Sequence, residues 1–369
     1  MRTRLAALTL SLYLSLAFLG CSKPAETTAP TDNSASAPSG GSATGSATDK
    51  STGSGMANSK SEAKPAAPKP LVVPAGTVLT VRLGHDPMEA LPSGPLEVEH
   101  RTLDVGLRAW VERQTAQKLG YVEQLYTFGD RDRVEDVRAG RALTVAYLAL
   151  VREARPGGEA EADWHSWYRY FPWEDWRAGR PAALPPLDAR LNQWAGEGVG
   201  AAERRLREER VGLAFARSWN EELVLERYEL LYEAGLIQER WRDLGHPIPS
   251  ADGPAFGVPM AADHRRILAT AIGRLRGKIK YRPVVFELMP PAFTLLQLQC
   301  TVEALSGVRL HKQNFRRLVE HQGLVEETGG ISAETGGRPA RLVRFRREVV
   351  LERPAPGLRL RAARRVTVS

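Results

Sequence analysis

Residues 312–317 read Lys-Gln-Asn-Phe-Arg-Arg and place five hydrogen-bonding side chains within two helical turns. Lys312, Arg316 and Arg317 carry the donors that meet phosphate oxygens or guanine. Gln313 and Asn314 carry the paired donor and acceptor that match the major-groove edge of adenine. With 3.6 residues per turn, Phe315, Leu318, Val319 and Gln322 share one face. Lys312, Gln313, Arg316, Arg317 and Glu320 share the other, with Asn314 at the border. A basic solvated helix would look the same in isolation. The flanking segments separate the two readings.

Thr294-x-x-Gln297 is a capping box that opens a preceding helix. Leu295, Leu298, Val302 and Leu305 give that helix its buried stripe, and Ser306-Gly307 end it. After the basic helix, 323–327 and 341–347 pair as strands around a loop with two Gly-Gly steps. Arg338 and Arg341 lie on the returning edge. Helix, turn, helix and a glycine-rich basic hairpin make the winged-helix pattern. His311 stands at the N-cap of the second helix, where it caps less well than Asp or Ser. Upstream, 263–279 reads as a helix with Ile267, Ile272, Leu275 and Ile279 in its stripe, and 281–288 as a short extended run.

Charge supports this polarity. The 369 residues carry +8 overall. Residues 81–263 have 23 basic and 31 acidic side chains, whereas 264–369 have 21 basic and eight acidic. A basic last third attracts polyanions, nucleic acid first. The closing arginines, Arg353, Arg359, Arg361, Arg364 and Arg365, read as a disordered phosphate-seeking arm. A 43% hydrophobic content excludes wholesale disorder, and two cysteines exclude a disulfide scaffold or a zinc cluster.

The N-terminus reads as a leader and a tether. Arg2 and Arg4 precede an apolar run over 5–19, followed by Gly20-Cys21. The Phe18-Leu19-Gly20-Cys21 end resembles a bacterial lipobox, which implies lipidation of Cys21. Residues 22–70 are small and polar and cannot offset their ordering entropy. Between tether and basic third lies an α/β body. It has strands at 78–83, 121–128 and 142–151, a helix over 103–118, and a long charged helix over 201–234 broken near Ser218-Trp219. Residues 164–176 hold four tryptophans, two tyrosines and a phenylalanine, read as an aromatic core plug rather than a base-stacking platform.

The strings GLRAWVERQT, LGYVEQLYTFGDRDR, ALTVAYLAL and YFPWEDWRAGRP, with FTLLQLQ, KQNFRRLVEHQGLVEETG and GRPARLVRFR, resemble Nudix-like bacterial transcriptional regulators of NAD metabolism. The resemblance implies a degenerate α/β Nudix-like sandwich followed by an α+β winged helix-turn-helix domain. The segments are then leader 1–21, tether 22–70, Nudix-like domain 71–200, helical connector 201–262, winged helix 263–350 and basic tail 351–369. The sheet's first strand is expected to be missing, with a chimeric junction near 78–82. The resemblance also implies a dimeric repressor of duplex DNA in the nucleoid, with a NAD-related nucleotide as effector and no cofactor. Tyr126, Phe128, Arg131, Arg133 and Arg141 flank the expected nucleotide pocket. A Nudix box counted from Gly94 keeps Arg108, Trp110 and Glu112, but has His100, Ala109 and Arg113 where metal-holding glutamates belong. Counted in the other register, ending at Thr115-Ala116, it fares no better. One carboxylate makes a poor magnesium site and Arg113 repels the ion, so no pyrophosphatase activity is expected. Two alternatives stay open. One is a dinucleotide pyrophosphatase using Glu97, Glu99 and Asp104. The other is a tethered lipoprotein binding an envelope polyanion.

Overall fold

The computed structural model describes residues 11–19, 71–72, 75–82, 88–129, 142–154, 161–216, 219–249, 256–332 and 339–360. In chain order the strands and helices of the body are β1 Ser11–Leu19, β2 Leu71–Val72, β3 Thr77–Arg82, β4 Ser93–Pro95, α1 Leu103–Thr115, β5 Val122–Phe128, β6 Ala142–Leu150, β7 Glu153–Ala154 and β8 Glu161–Ser166. Then come α2 Leu184–Gly196, α3 Gly200–Val211, α4 Val224–Glu233, α5 Gln238–Asp243 and α6 His264–Tyr281. The C-terminal part adds α7 Leu295–Ser306, α8 Lys312–Gln322, β9 Val325–Ser332, β10 Ala340–Phe345 and α9 Val349–Glu352.

The main sheet runs β4-β1-β6-β5, with β1 and β6 parallel and the outer pairs antiparallel. A second antiparallel pair joins β3 to β8 from Thr77↔Ser166 to Arg82↔Glu161. Strand β6 is apolar on both faces because helices cover both. Val145, Tyr147 and Ala149 pack with Leu107 and Val111 of α1. Ala146, Leu148 and Leu150 join the main core, to which Ile272, Leu275 and Ile279 of α6 belong. The result is helix, sheet, helix, with α6 packed against β1, β5 and β6.

Residues 11–19, expected as the apolar heart of a leader, are here strand β1, in register with β6 from Ser11↔Ala142 to Leu19↔Leu150. This segment also supplies the strand the sheet was expected to lack. Its sequence admits both readings. It is apolar enough for a leader, yet Leu12, Leu14, Leu16 and Phe18 recur with period two, which suits a strand. Cys21 and the tether lie outside the described residues.

Other differences have local causes. Helix α1 ends earlier than expected, at Ala116 in the left-handed region (φ 55°), rather than at Gly120. Residues 284–288 form a 3-10 turn instead of an extended run. The charged helix over 201–234 divides into α3, a π-turn at Gly212–Ala216 and α4. Val224, Tyr228, Leu230 and Leu231 are buried, so α4 is part of the core. The tail is anchored through residue 360. Leu358 is fully buried and its N–H donates to the Ile279 carbonyl at 2.8 Å. Among the described residues no helix is long and apolar enough to cross a membrane.

The aromatic segment is a core plug, as its composition suggested. Trp167, Tyr170, Phe171 and Trp173 are fully buried. The main core runs without a break from Val78 through this segment to Phe315, Val343 and Leu358.

Candidate nucleic-acid interface

The capping box opens α7 as expected. The Thr294 hydroxyl accepts from Gln297 N at 3.2 Å, and Thr294 N donates to Gln297 Oε1 at 2.8 Å. Gly307 ends the helix in the left-handed conformation (φ 76°), where a Cβ would collide with the Glu174 carbonyl. The following turn is tied back by side chains of α7. Glu303 Oε1 accepts from Leu310 N at 2.8 Å, and Gln299 Nε2 donates to the Leu310 carbonyl at 3.0 Å. The angle at which α8 leaves α7 is therefore set by polar contacts as well as packing. Glu303→Ala strands the Leu310 N–H. The expected outcome is a stability loss of about 1 kcal/mol with a several-fold loss of duplex affinity, read by denaturation and duplex titration in parallel.

Helix α8 separates its two faces as the periodicity requires. Phe315 and Val319 are buried, while Leu318 and Gln322 are half-buried. Lys312, Gln313, Asn314, Arg316 and Arg317 are all exposed, along with Glu320. Asn314, expected at the border, lies on the exposed side. His311 makes no side-chain cap, as expected, so the first amides of α8 are open at the same end as Lys312 and Gln313. The other end is closed by basic side chains, the favourable sign for a helix C-terminus. Arg353 Nη1 donates to the Gln322 carbonyl at 2.6 Å and Arg346 Nη1 to that of Gly323 at 3.4 Å.

The wing is the β9–β10 pair, with a register shift between Arg341 and Val343. An isolated antiparallel bridge ties it to the residue before α7's cap, since Phe293 and Val343 exchange both backbone bonds at 2.8 and 2.9 Å. Arg341 is exposed but engaged, donating to Glu327 Oε1 at 2.6 Å, and Arg344 does the same with Glu326 at 2.7 Å. The hydrogen bond and charge of Glu327 hold the Arg341 guanidinium above its usual pKa. Arg341 must therefore exchange Glu327 for a phosphate, a pairing that composition did not reveal. Arg338 lies outside the described residues.

Of the candidate nucleotide residues, Tyr126 and Phe128 are among the described residues. Tyr126 is 59% exposed on edge strand β5, whereas Phe128 is buried in the core. A bulge between Gln124 and Tyr126 breaks the simple alternation. Beyond it the register is regular through Phe128, whose ring lies edge-on to Tyr126 at 5.2 Å. Arg131, Arg133 and Arg141 lie outside the described residues.

Three of the carboxylates near α1 are engaged by a cation, while Glu99 is exposed. Glu97 faces Arg113 at 3.8 Å and His100 at 3.6 Å. Asp104 pairs with Arg108 at 2.9 Å, and Glu112 with Lys118 at 3.8 Å. Trp110 lies across Gly94, with its indole N–H on the Pro95 carbonyl at 2.7 Å and Arg113 over its ring. Among the described residues no group of three or more His, Cys, Asp or Glu is placed to hold a metal ion.

A cleft that sequence reasoning missed lies in the helical layer. It encloses about 240 Å³ between Arg190, Trp194, Glu197, Gln238, Trp241 and Phe256. Its lining comes from separated segments, and no local motif announces it.

Residues 285–345 match the family described as the NrtR DNA-binding winged helix domain. The chain is similar to the ADPR responsive transcriptional repressor NtrR of Acinetobacter baylyi, 43% identical over 91 residues. That match takes in 25% of this chain and 36% of the relative, about a third of its length. Among solved structures it is similar to Shewanella oneidensis NrtR complexed with a 27mer DNA, at 22% identity and a TM-score of 0.43, over 74% of this chain and 89% of that one. It is also similar to a MutT/nudix family protein from Enterococcus faecalis, at 14% identity and a TM-score of 0.45, over 94% and 90%. With the capping box, the exposed polar face of α8 and the paired wing, the C-terminal module is a winged helix domain of the NrtR type.

Proposed function

We propose that this protein is a transcriptional regulator, acting as a repressor, that binds duplex DNA as a homodimer through α8 and the β9–β10 wing. The observation that carries the reading is the division of α8. Its apolar residues are spent on the core, and Lys312, Gln313, Asn314, Arg316 and Arg317 are left with solvent. Such a face costs nothing to keep exposed and supplies both phosphate donors and base-reading amides. The match of residues 285–345 supports it, as does the name of the Acinetobacter baylyi relative. The proposed role on DNA calls for a chain that works at the nucleoid.

We further propose that the body is a Nudix-like sandwich that binds a NAD-related nucleotide, ADP-ribose being the first to test, without cutting it. Glu97, Asp104 and Glu112 each face a cation, so the charge a metal would need is already neutralised. Bound nucleotide shifts the population between duplex-competent and incompetent dimers, which requires different affinities for the two. The test is a duplex titration of the full chain with and without ADP-ribose, in magnesium and in EDTA. A shift in duplex affinity in both media, with the nucleotide recovered intact, is the expected outcome. Magnesium-dependent release of AMP would overturn the non-catalytic reading.

A further inference from the structure

We propose that the aromatic segment 167–176 of the body is a positioning element for the recognition helix, acting as the C-terminal cap of α7. This rests on the duplex-binding reading above and adds what orients α8.

An α-helix leaves its last four carbonyls without partners inside the helix. In α7 the Glu303 carbonyl is met within the chain's own turn, by Gly307 N at 2.9 Å. The next two are met from outside the matched segment 285–345, by the aromatic segment and by α6. The Tyr168 hydroxyl donates to the Ala304 carbonyl at 2.7 Å, and Arg276 Nε donates to the Leu305 carbonyl at 2.9 Å. Beyond the cap, Trp176 N donates to the Gly307 carbonyl at 2.7 Å, and Trp176 and Val308 form a parallel bridge. Tyr168 is buried, and burial raises the pKa of its phenol, so it stays a neutral donor. Arg276 is itself held by Glu174 of the same segment, at 2.5 Å. Gly307 is glycine because the Glu174 carbonyl and Arg276 lie against it.

The recognition helix begins five residues after this cap, across a turn locked by Glu303 and Gln299. The body thus holds the C-terminus of α7, and α7 holds α8. The angle presented to a groove is dictated by Tyr168, Arg276 and Trp176, not by the matched segment alone.

The test uses the full chain. A preferred duplex is selected from a random pool with the wild type, and a scrambled duplex of equal composition serves as reference. Tyr168→Phe removes the hydroxyl and keeps the ring. Tyr228→Phe removes a buried hydroxyl on α4, away from α7, as control. Arg276→Lys is the second variant, keeping the charge beside Glu174 but not the bond to Leu305. The expected result for Tyr168→Phe and Arg276→Lys is a fall in preferred-duplex affinity of about tenfold, the order of one lost base contact, with the scrambled duplex unchanged. Tyr228→Phe leaves both unchanged. Equal loss on both duplexes, the same loss in Tyr228→Phe, or no loss in Tyr168→Phe overturns the proposal. Amide exchange at 304–307, which needs no DNA, is expected to quicken in Tyr168→Phe. A wild type without any preferred duplex overturns the duplex reading itself, and the exchange result shows whether the cap stood regardless.

Discussion

Replacing Arg316 and Arg317 together with alanine is expected to lower duplex affinity by thirtyfold or more while leaving the fold intact. Each side chain is exposed on α8 and contributes nothing to the core, so the stability change stays within about 0.5 kcal/mol. Each arginine that reaches a guanine edge is worth about 1–3 kcal/mol of discrimination, and two such losses give roughly 2–6 kcal/mol. If instead they meet phosphates, the loss is spread evenly over all duplexes. The slope of log affinity against log salt then flattens by about 0.9 per contact. Anisotropy titrations over a salt series separate these outcomes. Unchanged binding by a folded double variant rejects the assignment of α8 as the recognition helix.

Glu174→Gln is expected to be the most damaging single change to stability. Glu174 is fully buried and accepts a two-pronged contact from Arg227, at 2.5 and 3.0 Å, and a third from Arg276 at 2.5 Å. Arg227 and Arg276 are also buried, so one carboxylate offsets two guanidinium groups out of reach of water. Further carbonyls from Ala214, Asn220 and Glu221 spread the remaining positive charge, and the Trp219 ring lies under Arg227 at 3.8 Å. Removing the only negative charge from such a set leaves uncompensated buried cations and costs about 3–5 kcal/mol. The exposed pair of Arg210 and Glu233 gives the contrast. Glu233→Gln on that pair is expected to cost less than about 1 kcal/mol, because water replaces the lost partner. Chemical denaturation of the two variants side by side decides the matter. Equal small losses would mean that the buried set is not the keystone of the junction.

How far the structure was legible depended on how local the governing contacts are. Helix α8 was legible because two residue classes alternate with the helical period, and Phe315 and Val319 duly face the core. The opening of α7 was legible because a capping box is a four-residue device. Strand β6 was legible because an unbroken apolar run needs cover on both faces.

The contacts that failed to announce themselves are long-range. Tyr168 meets Ala304 across 136 residues of sequence, and Glu174 meets Arg276 across 102. No periodicity encodes such pairs, so the aromatic segment read only as a plug. Phe128 is buried in the core, the packing role its apolar side chain allowed from the start. Of the tail, residues 354–360 dock through buried Pro356, Gly357 and Leu358, which its arginine content does not announce, and residues 361–369 lie outside the described residues. On residues 11–19 composition suits a leader and a strand alike, and in the structure they pair with β6.

The central claim is that α8, held at a fixed angle by the body, reads a duplex sequence. Its most direct test is selection of a random duplex pool by the full-length chain, followed by titration of the recovered sequence over a salt series. The account predicts one recurrent, two-fold symmetric sequence bound well above the unselected pool, with affinity falling steeply and linearly on the logarithmic salt scale. A pool that never enriches, together with no detectable binding at low salt, would contradict it.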